Sequence, residues 1–292
     1  MFLFAIGYPV AAQDFVGQFK QLFDKQDFAA QEKLLKKWEA AKPDDPELYV
    51  SYFNYYFRKS RRETLGLTPV PPKGESLRVT KDDDKKVVVY LGSNVSFDKA
   101  DLDLGISYID KGITKFPDRL DMRFGKTYAL GQINDYERFK GEIIRAIDYF
   151  DGGKIRWLWR DNKPLDQSKD FMLKSIQDYI VQLFDAGDQN TQFIKPISEA
   201  ALKYFPDHVE SLSNLSVVHM INGKFDDALL PLKKAEKIAP NDQVIIGNIA
   251  FCYYNKHDKA NATVYYERLA KVGDDRARSD AAIKLAEIKG WK

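Results

Sequence analysis

Two adjacent stretches, residues 209–242 and 243–276, repeat one order of apolar, small and polar positions. Offset by 34, Leu212 falls on Ile246, Leu215 on Ile249, Ser216 on Ala250, Ala228 on Ala262 and Leu232 on Tyr266; Ala235 meets Ala270 after a one-residue slip. The apolar positions follow helical periodicity, so each copy predicts two short helices. Two helices of about 14 residues cannot bury their apolar stripes alone, and each pair must stack on its neighbours. Small residues at Ser216, Ala228, Ala250 and Ala262 let helix axes approach closely. Asp207 followed by Glu210 predicts a capping box at the start of the first helix. Gly223 predicts the turn between the paired helices, and Pro240 the end of the second.

A 34-residue unit of two short helices resembles the tetratricopeptide repeat (TPR). The family's small positions match Ser216, Ala228 and Ala235 in the first copy and Ala250 and Ala262 in the second, and its closing proline is Pro240. The first copy departs from the pattern: it lacks the early Trp and has His219 where Tyr253 stands in the second. The second copy has Asp274 in place of the closing proline. The resemblance implies an all-α, right-handed TPR-like α-solenoid with a concave groove lined by the first helix of each pair. Carried over, the lining positions are Ser213, Val217 and Met220 in one repeat and Phe251, Tyr254 and Asn255 in the next. That surface is apolar and aromatic, without the basic cluster by which some TPR domains clamp a C-terminal carboxylate.

The same periodicity runs through the rest of the chain, with interruptions. Residues 14–42 predict a helix pair around Phe15, Phe19, Leu22 and Phe23, then Leu34, Leu35 and Trp38, with a turn at 24–27. The next helix starts near Glu47, and its stripe Tyr49, Tyr52, Phe53, Tyr56 reads as core. Pro43 and Pro117 close similar helices 74 positions apart, one 34-residue unit plus 40. The excess falls at 61–96, which holds Pro69, Pro71, Pro72 and Gly74, then apolar runs at 77–80 and 87–91; it predicts a loop carrying a small β-hairpin with its turn at 82–86. Residues 97–116 return as a helix with Gly105 and Gly112 at small positions. Further pairs follow at 119–131 with 136–150 and at 168–186 with 189–205. Between them, 151–167 breaks the period with Trp157 and Trp159 flanked by Arg156 and Arg160, either an interaction anchor or a plug between helices. A charged helix at 277–289 predicts a solvating cap. The whole predicts about six helix pairs plus a capping helix over 14–292, clearest at 209–276. The long inserts, and strings such as 119–131 and 206–215, are also similar to uncharacterised exported TPR proteins of Bacteroidota.

Residues 1–13, MFLFAIGYPVAAQ, are apolar and uncharged and end in small residues. They look like the core and cleavage region of a signal peptide, although the basic leader is missing. The expectation is export, to a periplasm; a buried N-terminal segment is the alternative and leaves the protein cytoplasmic. No other stretch approaches the ~20 apolar residues of a membrane span. Lys and Arg number 45 against 43 Asp and Glu, a net charge of +2, which offers no broad footprint for nucleic acid. Cys252 lies in the apolar part of a repeat helix and reads as core. His208, His219 and His257 are not spaced as metal ligands. Gly125-Lys126-Thr127 lacks the earlier glycine and the strand of a phosphate loop. No nucleophile elbow or Cys–His pair occurs. The expectation is a non-enzymatic scaffold without cofactor that holds a protein or peptide partner. The alternative is a cell-surface or periplasmic accessory protein handling glycans or other substrates through Trp157, Trp159 and the 61–96 insert.

Overall fold

The computed structural model describes residues 14–70, 76–80 and 87–291, with Val87 and Val88 described in backbone only. The signal-like segment 1–13 and the expected turn at 82–86 lie outside these residues. Among the described residues there are thirteen α-helices, with strands confined to 61–97 and 158–164. The chain divides into two compact units. One is Met1–Ile133 with Leu158–Lys163, the other Asn134–Trp157 with Pro164–Lys292.

The first unit contains α1 (Phe15–Asp24), α2 (Phe28–Ala41), α3 (Pro46–Ser60), a sheet of β1 (Arg61–Thr68), β2 (Ser76–Thr80) and β3 (Val87–Phe97), then α4 (Lys99–Lys115) and α5 (Leu120–Gln132). Asp14, Asp27, Asp45 and Asp98 each cap a following helix by accepting a backbone N–H. Phe15 stacks on Trp38 at 5.3 Å, within a core of Leu34, Leu35, Leu48, Tyr52 and Tyr55. The buried Trp38 indole donates to Asp45 at 3.0 Å, so its burial strands no polar group. Gly105 and Gly112 let α4 lie against α3: a Cβ at Gly112 would stand 2.9 Å from Tyr49 Cβ and 3.0 Å from Met122 Sδ.

The insert is a three-stranded antiparallel sheet, ordered β1-β3-β2, where the sequence predicts a two-stranded hairpin. Arg61 pairs with Phe97 through to Thr68 with Tyr90, and Ser76 pairs with Gly92 through to Thr80 with Val87. The missed strand reads RRETLGLT, whose charges and glycine mask its alternation. It pairs along the other edge of the eleven-residue β3, from Tyr90 to Phe97, and the last five residues of β3 extend past β2.

Behind the sheet's parent helix lies a buried ionic knot. Arg119 is fully buried; its Nε and Nη2 donate to the two oxygens of Asp121 at 2.8 Å each, Nη2 also to Glu47 Oε1 at 2.7 Å, and Nη1 to Asn162 at 3.0 Å. Glu47 Oε1 also accepts the Asp161 N–H at 2.8 Å. Both carboxylates sit in the first turn of a helix, which favours their charge. Lys126, in the sequence that mimics a phosphate loop, is helical and pairs with Asp110 at 2.6 Å.

The second unit holds α6 (Tyr136–Phe150), α7 (Ser168–Asp185), α8 (Thr191–Tyr204), α9 (Val209–Ile221), α10 (Phe225–Ile238), α11 (Gln243–Asn255), α12 (Lys259–Val272) and α13 (Asp275–Lys289). From α7 onward each helix packs on the next, and alternate helices also touch, α7 on α9, α9 on α11 and α11 on α13. Ala228, Ala235, Ala250 and Ala262 are fully buried in the core they share with Leu232, Ile246, Ile249 and Cys252. Burial pushes the Cys252 thiol up to about 12, so it stays protonated. Helix α13 closes this core with Ala281 and Ile288.

The turns repeat as well. Gly223 (φ 69°) follows α9 and His257 (φ 56°), 34 positions on, follows α11. Gln26 and Asn134, at φ 55° and 56°, take the same left-handed step after α1 and α5. At three of the four, Asp27, Asp135 and Asp258 then cap the next helix. The start of α9 differs from the expected capping box. Its cap residue is His208, whose side chain makes no cap bond to a backbone N–H and instead meets Ser211 Oγ through Nδ1 at 2.8 Å. Asp207 lies one position too early and pairs with Lys234 at 3.1 Å, while Glu210 turns to His208 Nε2 at 3.2 Å.

Candidate functional site

The sequence of α11, QVIIGNIAFCYYN, is apolar nearly all round, more than one buried stripe requires. Ile245, Ile246, Ile249 and Cys252 are buried in the core. A second stripe at i, i+3, i+4, i+7, made of Val244, Gly247, Asn248 and Phe251, faces a groove of about 660 Å³. Tyr266 and Leu269 of α12 form its floor, and Ala277, Ile283 and Lys284 of α13 its far wall. Val244, Phe251 and Ile283 are 56%, 43% and 55% exposed, three large apolar side chains left open around one depression. Gly247 keeps the floor low: a Cβ there would meet only Leu269, at an ordinary 3.5 Å.

Polar contacts fix the groove's ends. Asp274 caps α13 through the Ala277 N–H, and Gln243 of α11 both donates to the Asp274 carboxylate (3.2 Å) and accepts its N–H (2.7 Å). The Ala277 amide and the Gln243 side chain hold the Asp274 carboxyl below the usual carboxylate range. At the other end Lys284 lies over the Tyr254 ring at 4.4 Å and pairs with Glu287 at 2.8 Å. Burial pushes the Tyr266 hydroxyl up to about 12. The lining charges, Asp274, Arg276, Asp280 and Lys284, balance in sign. An apolar centre with a polar, charge-balanced rim suits an apolar side chain on a peptide more than an ionic ligand.

The sequence-selected residues separate. Phe251 lines the groove, edge-on to Phe225 at 6.2 Å. Ser213 sits beside it, since Asn248 Nδ2 donates to Ser213 Oγ at 3.4 Å. Val217 and Met220 are half-buried, Met220 against the core. Tyr254 does not join Phe251 in an open aromatic pair. Its ring is held by Trp291 at 4.9 Å and Tyr266 at 6.2 Å, and its hydroxyl donates to Glu287. Asn255 donates back to the Phe251 carbonyl at 2.8 Å.

Trp157 is fully buried and is no surface anchor; it stacks on Phe150 at 6.1 Å and lies 5.4 Å from Tyr149. Left-handed Asp151 and Gly152 end α6 and reverse the chain, which returns the indole to the helix it left. Trp159, two residues on, is half-buried in a cleft of about 390 Å³ with Phe19, Phe53, Glu47 and Asp121. The residues that sequence reasoning missed are Val244, Gly247, Asn248 and Ile283. Their signal was present in the doubled apolar stripe of α11 and in Ile283, an apolar residue on the outer face of a charged helix.

No protein-family model matches the chain, and no curated protein matches it. Among the described residues, no helix is long and apolar enough to cross a membrane.

Proposed function

We propose that the chain is a non-enzymatic TPR-like α-solenoid that captures a protein or peptide partner through the groove between α11, α12 and α13. The observation that carries this reading is the trio Val244, Phe251 and Ile283, left exposed around one groove. Apolar side chains gathered in this way mark a surface that something covers. The stacking of alternate helices and the left-handed turns at Gly223 and His257 support the repeat arrangement. The burial of Trp157 removes half of the aromatic platform on which the alternative, a glycan-handling accessory protein, depends.

A peptide-display selection on the immobilised protein tests the reading. The wild type enriches sequences sharing an aromatic or branched apolar anchor, and the Phe251→Ser/Ile283→Ser variant does not. Equal enrichment on both proteins removes the groove from consideration. We further read residues 1–13 as an export signal, so N-terminal sequencing of the native protein should begin near Gln13 or Asp14; an intact Met1 contradicts export.

A further inference from the structure

The end of α3 carries more positive charge than its capping uses. A helix leaves its last four carbonyls without intrahelical partners, and here all four are bonded. Ser60 Oγ donates to the Phe57 carbonyl at 2.8 Å, and the Arg61 N–H to that of Arg58. The Arg62 guanidinium reaches back to the Lys59 carbonyl through Nη1 at 2.5 Å, and the Asp98 N–H bonds the Ser60 carbonyl at 2.7 Å. Arg58, in the last turn, is therefore not consumed as a cap; its guanidinium lies over the Phe23 ring at 5.3 Å.

Arg58, Lys59, Arg61 and Arg62 line one cleft of about 720 Å³, whose single acidic lining residue is Glu63. Two of these charges are matched: Lys59 pairs with Asp101 at 2.8 Å and Arg61 with Glu63 at 2.6 Å. The other Glu63 oxygen accepts from Ser93 at 2.6 Å, so this carboxylate has nothing left to offer a second cation. Arg58 and Arg62 make no ion pair among the described residues. Both are exposed, and both are oriented by neutral groups, a ring face and a carbonyl. Two positive charges thus stand unmatched in one concavity. The same cleft holds an open ring: Tyr128 of α5 is 53% exposed and meets Phe57 at 6.3 Å in a T-shaped contact.

We propose that this cleft binds a phosphate monoester carried on a flat ring, with Arg58 and Arg62 on the phosphate and Tyr128 against the ring. Charge selects the headgroup. A phosphate monoester carries about −1.5 to −2 at neutral pH, enough to answer both arginines, whereas a carboxylate answers one. The planar guanidinium fork also matches phosphate oxygens with paired N–H donors. Size selects the rest of the ligand. Clefts of roughly 300–1,000 Å³ hold whole small molecules, so the phosphate leaves most of this one to the group that bears it. An exposed tyrosine ring favours a flat partner, by stacking.

Isothermal titration calorimetry with three small probes tests this. Phenyl phosphate should bind the wild-type protein at least tenfold tighter than benzoate, which keeps the ring with one charge, and than methyl phosphate, which keeps the headgroup without the ring. Arg58→Gln/Arg62→Gln should abolish phenyl phosphate binding with circular dichroism and melting unchanged, and Arg58→Lys/Arg62→Lys should restore part of it. Tyr128→Ser should bring phenyl phosphate down to the level of methyl phosphate and leave methyl phosphate where it was. If the arginine variant fails to fold, the ranking of the three probes and the Tyr128→Ser result decide. Adenosine monophosphate and a phosphotyrosine peptide carry the same chemistry, and the tighter of the two names the source, a free nucleotide or a modified protein. No binding of phenyl phosphate, benzoate binding as tightly, or a folded Arg58→Gln/Arg62→Gln protein that binds like wild type each overturns the proposal.

Discussion

Two regions of this molecule carry similar densities of apolar residues and use them in opposite ways. In α9–α13 the large apolar side chains are mostly in a shared core; of those that remain open, Val244, Phe251 and Ile283 gather around one groove, while others such as Leu230 and Val264 stand apart from it. In β1–β3 they lie along one face, where Leu65, Leu67 and Leu77 stand open and Val89 and Leu91 are half-buried. The difference is one of walls. A helix leaves the rest of its circumference to be flanked by neighbours, so an extra apolar stripe ends in a depression. A three-stranded sheet with no helix over it presents whatever its alternation puts on that side. Helical extras therefore suit recognition of single side chains, and the sheet suits a broad apolar surface.

Truncation should separate the two regions most sharply. Ile249→Ala, in the core of α11, should cost about 2–5 kcal/mol, whereas Leu65→Ala should stay within about 0.5 kcal/mol. Chemical denaturation monitored by circular dichroism measures both; a large loss from Leu65→Ala would mean that its face is covered in solution. Overpacking comes next. Ala262 is fully buried, and Ala262→Leu should cost roughly 1–3 kcal/mol. An unchanged melting temperature would break the repeat alignment that sets Ala262 on Ala228. The smallest effect is a gain. Gly247→Ala should stabilise by about 0.5–1 kcal/mol, because the added methyl finds only ordinary contact and the helix loses a flexible residue. The same change raises the groove floor and should weaken capture of any peptide that uses it.

The helices were legible because their cues are local: the 34-residue offset, the alanines at helix crossings, and the glycines at 105, 112 and 223. The strand at 61–68 was not, because charges and a glycine mask its own alternation. Trp157 and Trp159 have nearly the same sequence surroundings. Their different fates follow from the chain reversal at Asp151 and Gly152, a tertiary event that local pattern does not carry. The cap of α9 failed for a similar reason, since Lys234, 27 positions away, draws Asp207 off. Of the expected groove residues, only Phe251 lies in the groove lining. The sequence set Phe251 with Tyr254 and Asn255 on one face of α11, whereas the groove takes Phe251 with Val244, Gly247 and Asn248, and α13 was taken as a solvated cap and not as a wall.

The central claim is that Phe251 serves a partner while Tyr254 serves the fold, although the two stand three residues apart on one helix. Single substitutions compared side by side test it most directly, each scored for thermal melting and for binding of a display-selected peptide. Phe251→Ala should abolish peptide binding with the melt nearly unchanged. Tyr254→Ala should lower the melt by several degrees, through the loss of Trp291, Lys284 and Glu287 contacts. A Phe251→Ala protein that melts early, or that still binds the peptide as tightly as wild type, contradicts the account.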